Sequence, residues 1–217
     1  MTVAAPIRTS TPPYLPTKDN YTPTHPGVFH IQFADEGEFN SCLKLDKAFN
    51  KGDTIAQIKG TTPGAKAYSS VQVRPDPPVP NFDNDETTND QPRHIELMSD
   101  LLYVNHSCEP NVAFDVRGQP QDWKVVALKD LDVGDVLTFN YVSTEWCMQQ
   151  PFVCQCRSRS CLGTITGAKG VAEDVLSKYF INDHILAMKA HQIAVASNKQ
   201  PSAFVATTER ADKLQRI

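Results

Sequence analysis

Short apolar runs separated by turn residues fill most of this chain, and helical spacing appears only towards its end. Val28-Phe29-His30-Ile31-Gln32-Phe33 reads as a strand from its β-branched and aromatic content. Cys42-Leu43-Lys44-Leu45, Thr54-Ile55-Ala56-Gln57-Ile58 and Ala67 to Val73 read as further strands, with turns at Asn50-Lys51-Gly52-Asp53 and Gly60. Val112 to Val116 and Trp123 to Leu128 are expected to pair across Gly118-Gln119-Pro120. Val136 to Tyr141 gives another strand after the turn Leu131 to Gly134. From Val171 the period changes: Val171, Val175, Leu176 and Tyr179, then Ile181, Ile185, Met188 and Ile193, fit helical spacing. The pattern is one mainly β domain with a C-terminal helical extension.

Composition narrows the class. The chain has 217 residues, 40% hydrophobic and 21% charged, as in ordinary globular domains. A net charge of −4 argues against direct nucleic-acid binding through bulk positive charge. No apolar run of about 18 residues is present, so no membrane span is expected. Met1 to Pro26 lacks a continuous apolar stretch, so no secretory signal is expected, and the protein is placed inside the cell, in nucleus or cytoplasm. Residues 1–26, rich in Thr and Pro, read as a flexible arm. Residues 75–92 combine Pro75, Pro77, Pro78 and Pro80 with Asp83, Asp85, Glu86 and Asp90, which reads as a loop.

The cysteines carry the chemistry. Cys154-x-Cys156-x4-Cys161 places three thiols in a metal-site spacing that wants a fourth ligand. Cys108, in Asn105-His106-Ser107-Cys108-Glu109-Pro110-Asn111, is the natural fourth. A structural Zn2+ would then join two distant segments. Clustered cysteines without a secretory signal point to reduced thiols on a metal. Cys147 does not fit the motif and reads as a free thiol near the site; Cys42 reads as a buried residue.

Three segments in this order resemble the SET-domain protein methyltransferases. They are Asn105 to Asn111, Gly134-Asp135-Val136-Leu137-Thr138-Phe139-Asn140-Tyr141, and the post-SET-like Cys154 to Gly163. The likeness covers roughly residues 28–167, and Lys51-Gly52-Asp53-Thr54-Ile55 is a weaker echo. It implies a fold of small curled β-sheets with a knot-like threading. The implied organisation is an arm at 1–26, a SET domain at 27–146 with an insert loop at 61–95, a post-SET zinc segment at 147–167, a helical extension at 168–197 and a tail at 198–217.

The resemblance also implies a reaction: methyl transfer from S-adenosylmethionine to a protein or peptide lysine, a histone tail included. Tyr141 then takes the catalytic position and orients the amine, against the alternative of a half-buried strand tyrosine. Phe139 aligns with a position that sets the degree of methylation, or is a core aromatic. Asn105, His106, Tyr141 and Leu162 would meet the cofactor, and Asn111 would buttress the loop. Trp146 either covers the cofactor or channel or simply packs. The chain departs from the family in four places. One glycine, Gly37, stands where two are usual, in Asp35-Glu36-Gly37-Glu38-Phe39-Asn40. Leu102-Tyr103-Val104 replaces Arg-Phe-Ile, Asn140 replaces Asp, and the segment between Gly60 and Asn105 has no match. Two other functions therefore stay open: a non-catalytic binder with an eroded cofactor motif, and a fold turned to a small molecule. Oligomeric state is not readable.

Overall fold

The computed structural model describes residues 11–35, 41–80, 82 and 91–198. Among these the chain forms five small sheets and little helix, the architecture expected of the pattern. The acidic residues Asp83, Asp85, Glu86 and Asp90, the segment Glu36 to Asn40, and the tail beyond Asn198 lie outside the described residues.

The first sheet is an antiparallel pair of β1 (Phe29–Gln32) and β2 (Cys42–Leu45). Phe29, Ile31, Leu43 and Leu45 point one way from it and are buried, as alternation along a strand requires. The second sheet orders β3 (Thr54–Gln57), β9 (Lys124–Ala127) and β8 (Val112–Asp115) antiparallel, so the expected pairing of the last two holds. All four residues of β8 are buried, because it lies between its neighbour and the rest of the core.

The stretch 61–95, expected as an insert loop, contains a third sheet. Here β4 (Thr62–Gly64) and β5 (Ser70–Gln72) flank β6 (His94–Glu96). Pro63 is tolerated because β4 is an edge strand. The remaining pairs are β7 (Asn105–His106) parallel to β10 (Thr138–Phe139), and β11 (Phe152–Val153) antiparallel to β12 (Thr164–Ile165). The strand expected to run to Tyr141 ends at Phe139, and Tyr141–Ser143 turn as a 3-10 helix capped by the Asn140 side chain. That turn aims Tyr141 away from the sheet line.

The helical extension is α1 (Glu173–Leu176) and α2 (Asp183–Asn198). Ile185 and Met188 are buried against Val142, Trp146 and Leu176, in a core cluster separate from that of the sheets. Asn182, fully buried before α2, accepts from Val116 N at 2.9 Å. It donates to Phe114 O and Ser143 O at 2.9 Å each.

The arm is not loose where it is described. Tyr14 and Tyr21 donate their hydroxyls to the buried Asp100, and Thr24 N donates to the same carboxylate at 3.0 Å. Tyr21 also accepts from Ile31 N at 2.8 Å, which fastens the arm to β1. A buried carboxylate needs such partners, and residues 11–26 supply them without regular secondary structure.

Candidate active site and metal cluster

β7 and β10 lie side by side although far apart in sequence, and the site is built around this pair. Asn111 holds the join: its Oδ1 accepts from Thr138 N at 2.7 Å and its Nδ2 donates to Val136 O at 2.8 Å. Asn105 donates from Nδ2 to Ser41 O at 2.9 Å, tying the loop to the start of β2. His106 accepts at Nδ1 from Tyr141 N at 3.2 Å. Its proton therefore sits on Nε2, 3.3 Å from Cys108 Sγ. Burial holds the ring's pKa down to about 4, so the imidazole is neutral.

Tyr141 packs its ring 5.1 Å from His106, 4.7 Å from Phe139 and 6.0 Å from Phe152. Burial, with the nearby Glu145 carboxylate, pushes its hydroxyl above the usual range, so it stays a donor at neutral pH. That hydroxyl lies 3.4 Å from Val104 O. Phe139 is buried and stacks on Phe114 at 4.3 Å, so it is a core aromatic that also lines the cavity.

Phe139, Tyr141 and Glu145 share one cavity of about 50 Å3 with Ala67, Val71, Leu97 and Leu101. Glu145 is held there by two reciprocal bonds to β5. Gln72 N donates to Glu145 Oε1 at 2.9 Å, and Trp146 N donates to Gln72 Oε1 at 2.9 Å. On the other side, Ala168 N donates to Glu145 O and Lys169 N to Trp146 O. Gly167 makes that approach possible: at φ +102°, a Cβ would sit 2.5 Å from Trp146 O. Burial pushes the Glu145 carboxyl up to about 7, against the Gln72 N–H, the Thr144 hydroxyl and the Lys66 charge, which all favour ionisation.

The four cysteine sulfurs of Cys108, Cys154, Cys156 and Cys161 lie within 4.8 Å of one another, with Cys108 and Cys154 at 3.8 Å. Four thiolates around a tetrahedral Zn2+ at about 2.3 Å would stand about 3.8 Å apart, so the donor set fits the ion. The cluster's own electrostatics agree. Burial raises Cys108 beyond the usual thiol range and Cys154 to about 11. Cys156 is lowered to about 6 despite its burial, through bonds from Ser158. Burial thus disfavours charge on the Cys108 and Cys154 thiols, and a dication held by them would relieve that cost. β11 and β12 close the base of the cysteine loop, and Arg157 turns within it at φ 57°. Leu162 N donates to Cys108 Sγ at 3.3 Å and Ser160 Oγ to Glu109 Oε1 at 3.1 Å, so the two segments meet at more than the sulfurs.

The other candidates fall as follows. Leu162 reaches the cluster through its backbone, while its side chain is half-buried beside the extension. Trp146 is buried with Val142, Leu176 and Met188 and is not among the residues lining that cavity. Cys147 stands outside the sulfur group and packs nearby. Asp35 pairs with Lys18 at 2.9 Å on the surface. Sequence reasoning missed Phe152, whose ring lies 5.7 Å from His106, and the part played by Glu145. Phe152 had one available signal, an aromatic two residues before the first loop cysteine.

A parallel strand pair, a turned tyrosine and a four-sulfur cluster meet in a fold of small sheets. The SET domain family matches residues 31–142, and the chain belongs to it. Methyltransferase flvH of Aspergillus flavus is 38% identical over 184 residues, covering 83% of this chain and 93% of that protein. Two crystal structures of KRYPTONITE also align. The complex with mCHG DNA and SAH gives a TM-score of 0.42 at 15% identity. The complex with mCHH DNA, an H3(1-15) peptide and SAH gives 0.42 at 14% identity. Each covers 63% of this chain, which spans 29% of theirs.

Proposed function

We propose that this protein is an S-adenosylmethionine-dependent methyltransferase acting on a primary amine, with protein lysine as the first substrate class. Membership of the SET family and the likeness to a methyltransferase support the reaction. The observation that carries the amine reading is the narrow cavity in which Tyr141 meets the apolar side chains of Val71, Leu97, Leu101 and Phe139, with Tyr68, Ser69, Ser70 and Gln149 completing the lining. An unbranched alkyl chain fits such walls, and a hydroxyl at the end meets a nitrogen.

Asn105, His106 and Leu162 are the residues that would hold the cofactor, beside the sulfur cluster. When bound, S-adenosylmethionine supplies an electrophilic methyl group. Tyr141 and the Val104 carbonyl do the rest by orientation. An amine lone pair held by a hydroxyl and a carbonyl is aimed in one direction, which is positioning catalysis. The apolar walls disfavour the ammonium, whose pKa in water is about 10.4, and so favour the nucleophilic form. A small-molecule amine would meet the same groups.

Calorimetric titration of zinc-loaded protein with S-adenosylmethionine comes first. Micromolar binding, about −8 kcal/mol, is expected. Tyr141→Phe should keep that binding and lose at least 100-fold in turnover of lysine peptides. Undiminished turnover by Tyr141→Phe would remove the tyrosine from the mechanism, and no cofactor binding would turn the reading to a non-catalytic binder.

A further inference from the structure

The cavity holds one group that orientation does not use: the carboxylate of Glu145. It is 8% exposed, and what it faces is the same space as Tyr141. Carboxylates are seldom buried without a cationic partner or a full set of donors. Here Gln72 N donates to Oε1 at 2.9 Å and the Thr144 hydroxyl also favours the ionised form, but among the described residues no cation pairs with the carboxylate at hydrogen-bond distance. The cavity wall is mixed, with Val71, Leu97, Leu101 and Phe139 beside Tyr68, Ser69, Ser70 and Gln149, and it holds no cation among its described lining residues.

We infer that Glu145 is a substrate-binding residue: it receives a primary ammonium in the Tyr141 cavity and takes one proton from it. This deepens the methyltransferase reading and rests on it. The proton step balances simply. An N–H bond breaks, an O–H bond forms on the carboxylate, and the nitrogen keeps the electron pair as a neutral amine beside the Tyr141 hydroxyl. The carboxylic acid later returns its proton to water. A cationic amine entering an apolar cavity alone would be expelled by its lost hydration. With Glu145 present it enters as half of a pair, and the pair can neutralise itself. The raised affinity of the carboxylate for protons suits it to the acceptor's part.

The titratable groups that face this space or act on it are Tyr68, Tyr141 and Lys66, with His184 behind the turn. Tyr141 keeps its proton and contributes a dipole, not a charge. Lys66, one residue before the cavity-lining Ala67, favours the ionised carboxylate through its field. His184 donates to Thr144 O at 2.8 Å and is held neutral by burial, so it adds no cation.

The test uses the full, zinc-loaded chain and n-butylamine, a primary ammonium with the reach of a lysine side chain. Infrared difference titration of the carboxyl band should show one group with a midpoint near 7, absent from Glu145→Gln. Saturating n-butylamine should move that midpoint by at least one pH unit, because the amine and the carboxyl then share a proton. Glu145→Gln keeps the acceptor for Gln72 N, so it should fold, bind S-adenosylmethionine as before and lose at least tenfold in n-butylamine affinity. It should leave the weak binding of neutral 1-pentanol unchanged. A midpoint indifferent to amine overturns the inference, and does so with the parent protein alone. Equal amine affinity in Glu145→Gln overturns it as well. Cofactor binding is measured separately. An amine effect without it would sink the methyltransferase reading and leave Glu145 as an amine site only; cofactor binding without an amine effect would sink this inference alone.

Discussion

Glu145 keeps its proton up to about pH 7 because burial withholds water from its carboxylate, whereas an ordinary Glu ionises near 4.5. Between those values the folded protein holds a proton that the unfolded chain has lost, so this residue makes stability fall as pH rises. The shift is worth roughly 3 kcal/mol across that window. His106 and His184, lowered to about 4 by burial, act in the opposite sense from about pH 4 to 6.5. Their effect is common to parent and variant and cancels in the comparison. Denaturant unfolding of Glu145→Gln against the parent should therefore show the variant gaining roughly 3 kcal/mol, relative to the parent, from pH 4.5 to 7. A flat difference would mean the carboxylate is better solvated than its surroundings imply. Single residues were unevenly readable in advance. The four cysteines declare themselves because tetrahedral metal binding needs a fixed set of thiols at short spacing. Glu145 does not, because nothing in Thr144-Glu145-Trp146 says that β5 will close over it.

At the scale of elements, the turn that presents Tyr141 depends on a residue forty positions later. Asn182 bonds Ser143 O, Phe114 O and Val116 N at once, joining the turn, β8 and the approach to α2. Asn182→Ala would strand a buried N–H and weaken two carbonyls, a loss of about 2–4 kcal/mol. Chemical denaturation should show that loss, and the Tyr141 ring signals should broaden as the turn loosens. A change under about 0.5 kcal/mol would mean water replaces the amide. Elements were legible where periodicity was local: β1, β3, β8, β9 and the helical end follow from their apolar runs. In the third sheet only β5, inside the run Ala67 to Val73, was legible; β4 and β6 were not, since Thr62-Pro63-Gly64 and His94-Ile95-Glu96 carry too little apolar pattern and gain strand form only by pairing. The arm was misread for a similar reason. Tyr14 and Tyr21 look like isolated aromatics until Asp100 is found beneath them.

For the whole molecule, the sulfur clamp joins the loop after β7 to the segment closed by β11 and β12. Structural zinc contributes folding free energy directly. Chelation, or Cys156→Ser, should release one metal per chain and raise hydrogen exchange in residues 142–167. The sheet of β3, β9 and β8 should stay protected, because its bonds do not pass through the cysteines. Mass-resolved exchange reads both regions in one experiment. Unchanged protection in metal-free protein would show the clamp to be ornamental to the fold. The extension is anchored independently through Ile185 and Met188, and among the described residues no helix is long and apolar enough to cross a membrane.

The close passage of Gly167 beneath Trp146 sets a timetable for the newborn chain. A ribosome releases the tyrosine, the phenylalanine and the glutamate of the cavity before it has made the segment that presses them into place. Strands already paired must wait, with that floor unsupported, until some twenty further residues emerge. Any pause in translation between Glu145 and Gly167 would thus hold the nascent protein in a folded but unfinished form. An assay on stalled chains of increasing length would find the site completed late, first when Gly167 passes Trp146 and finally when Asn182 reaches Ser143.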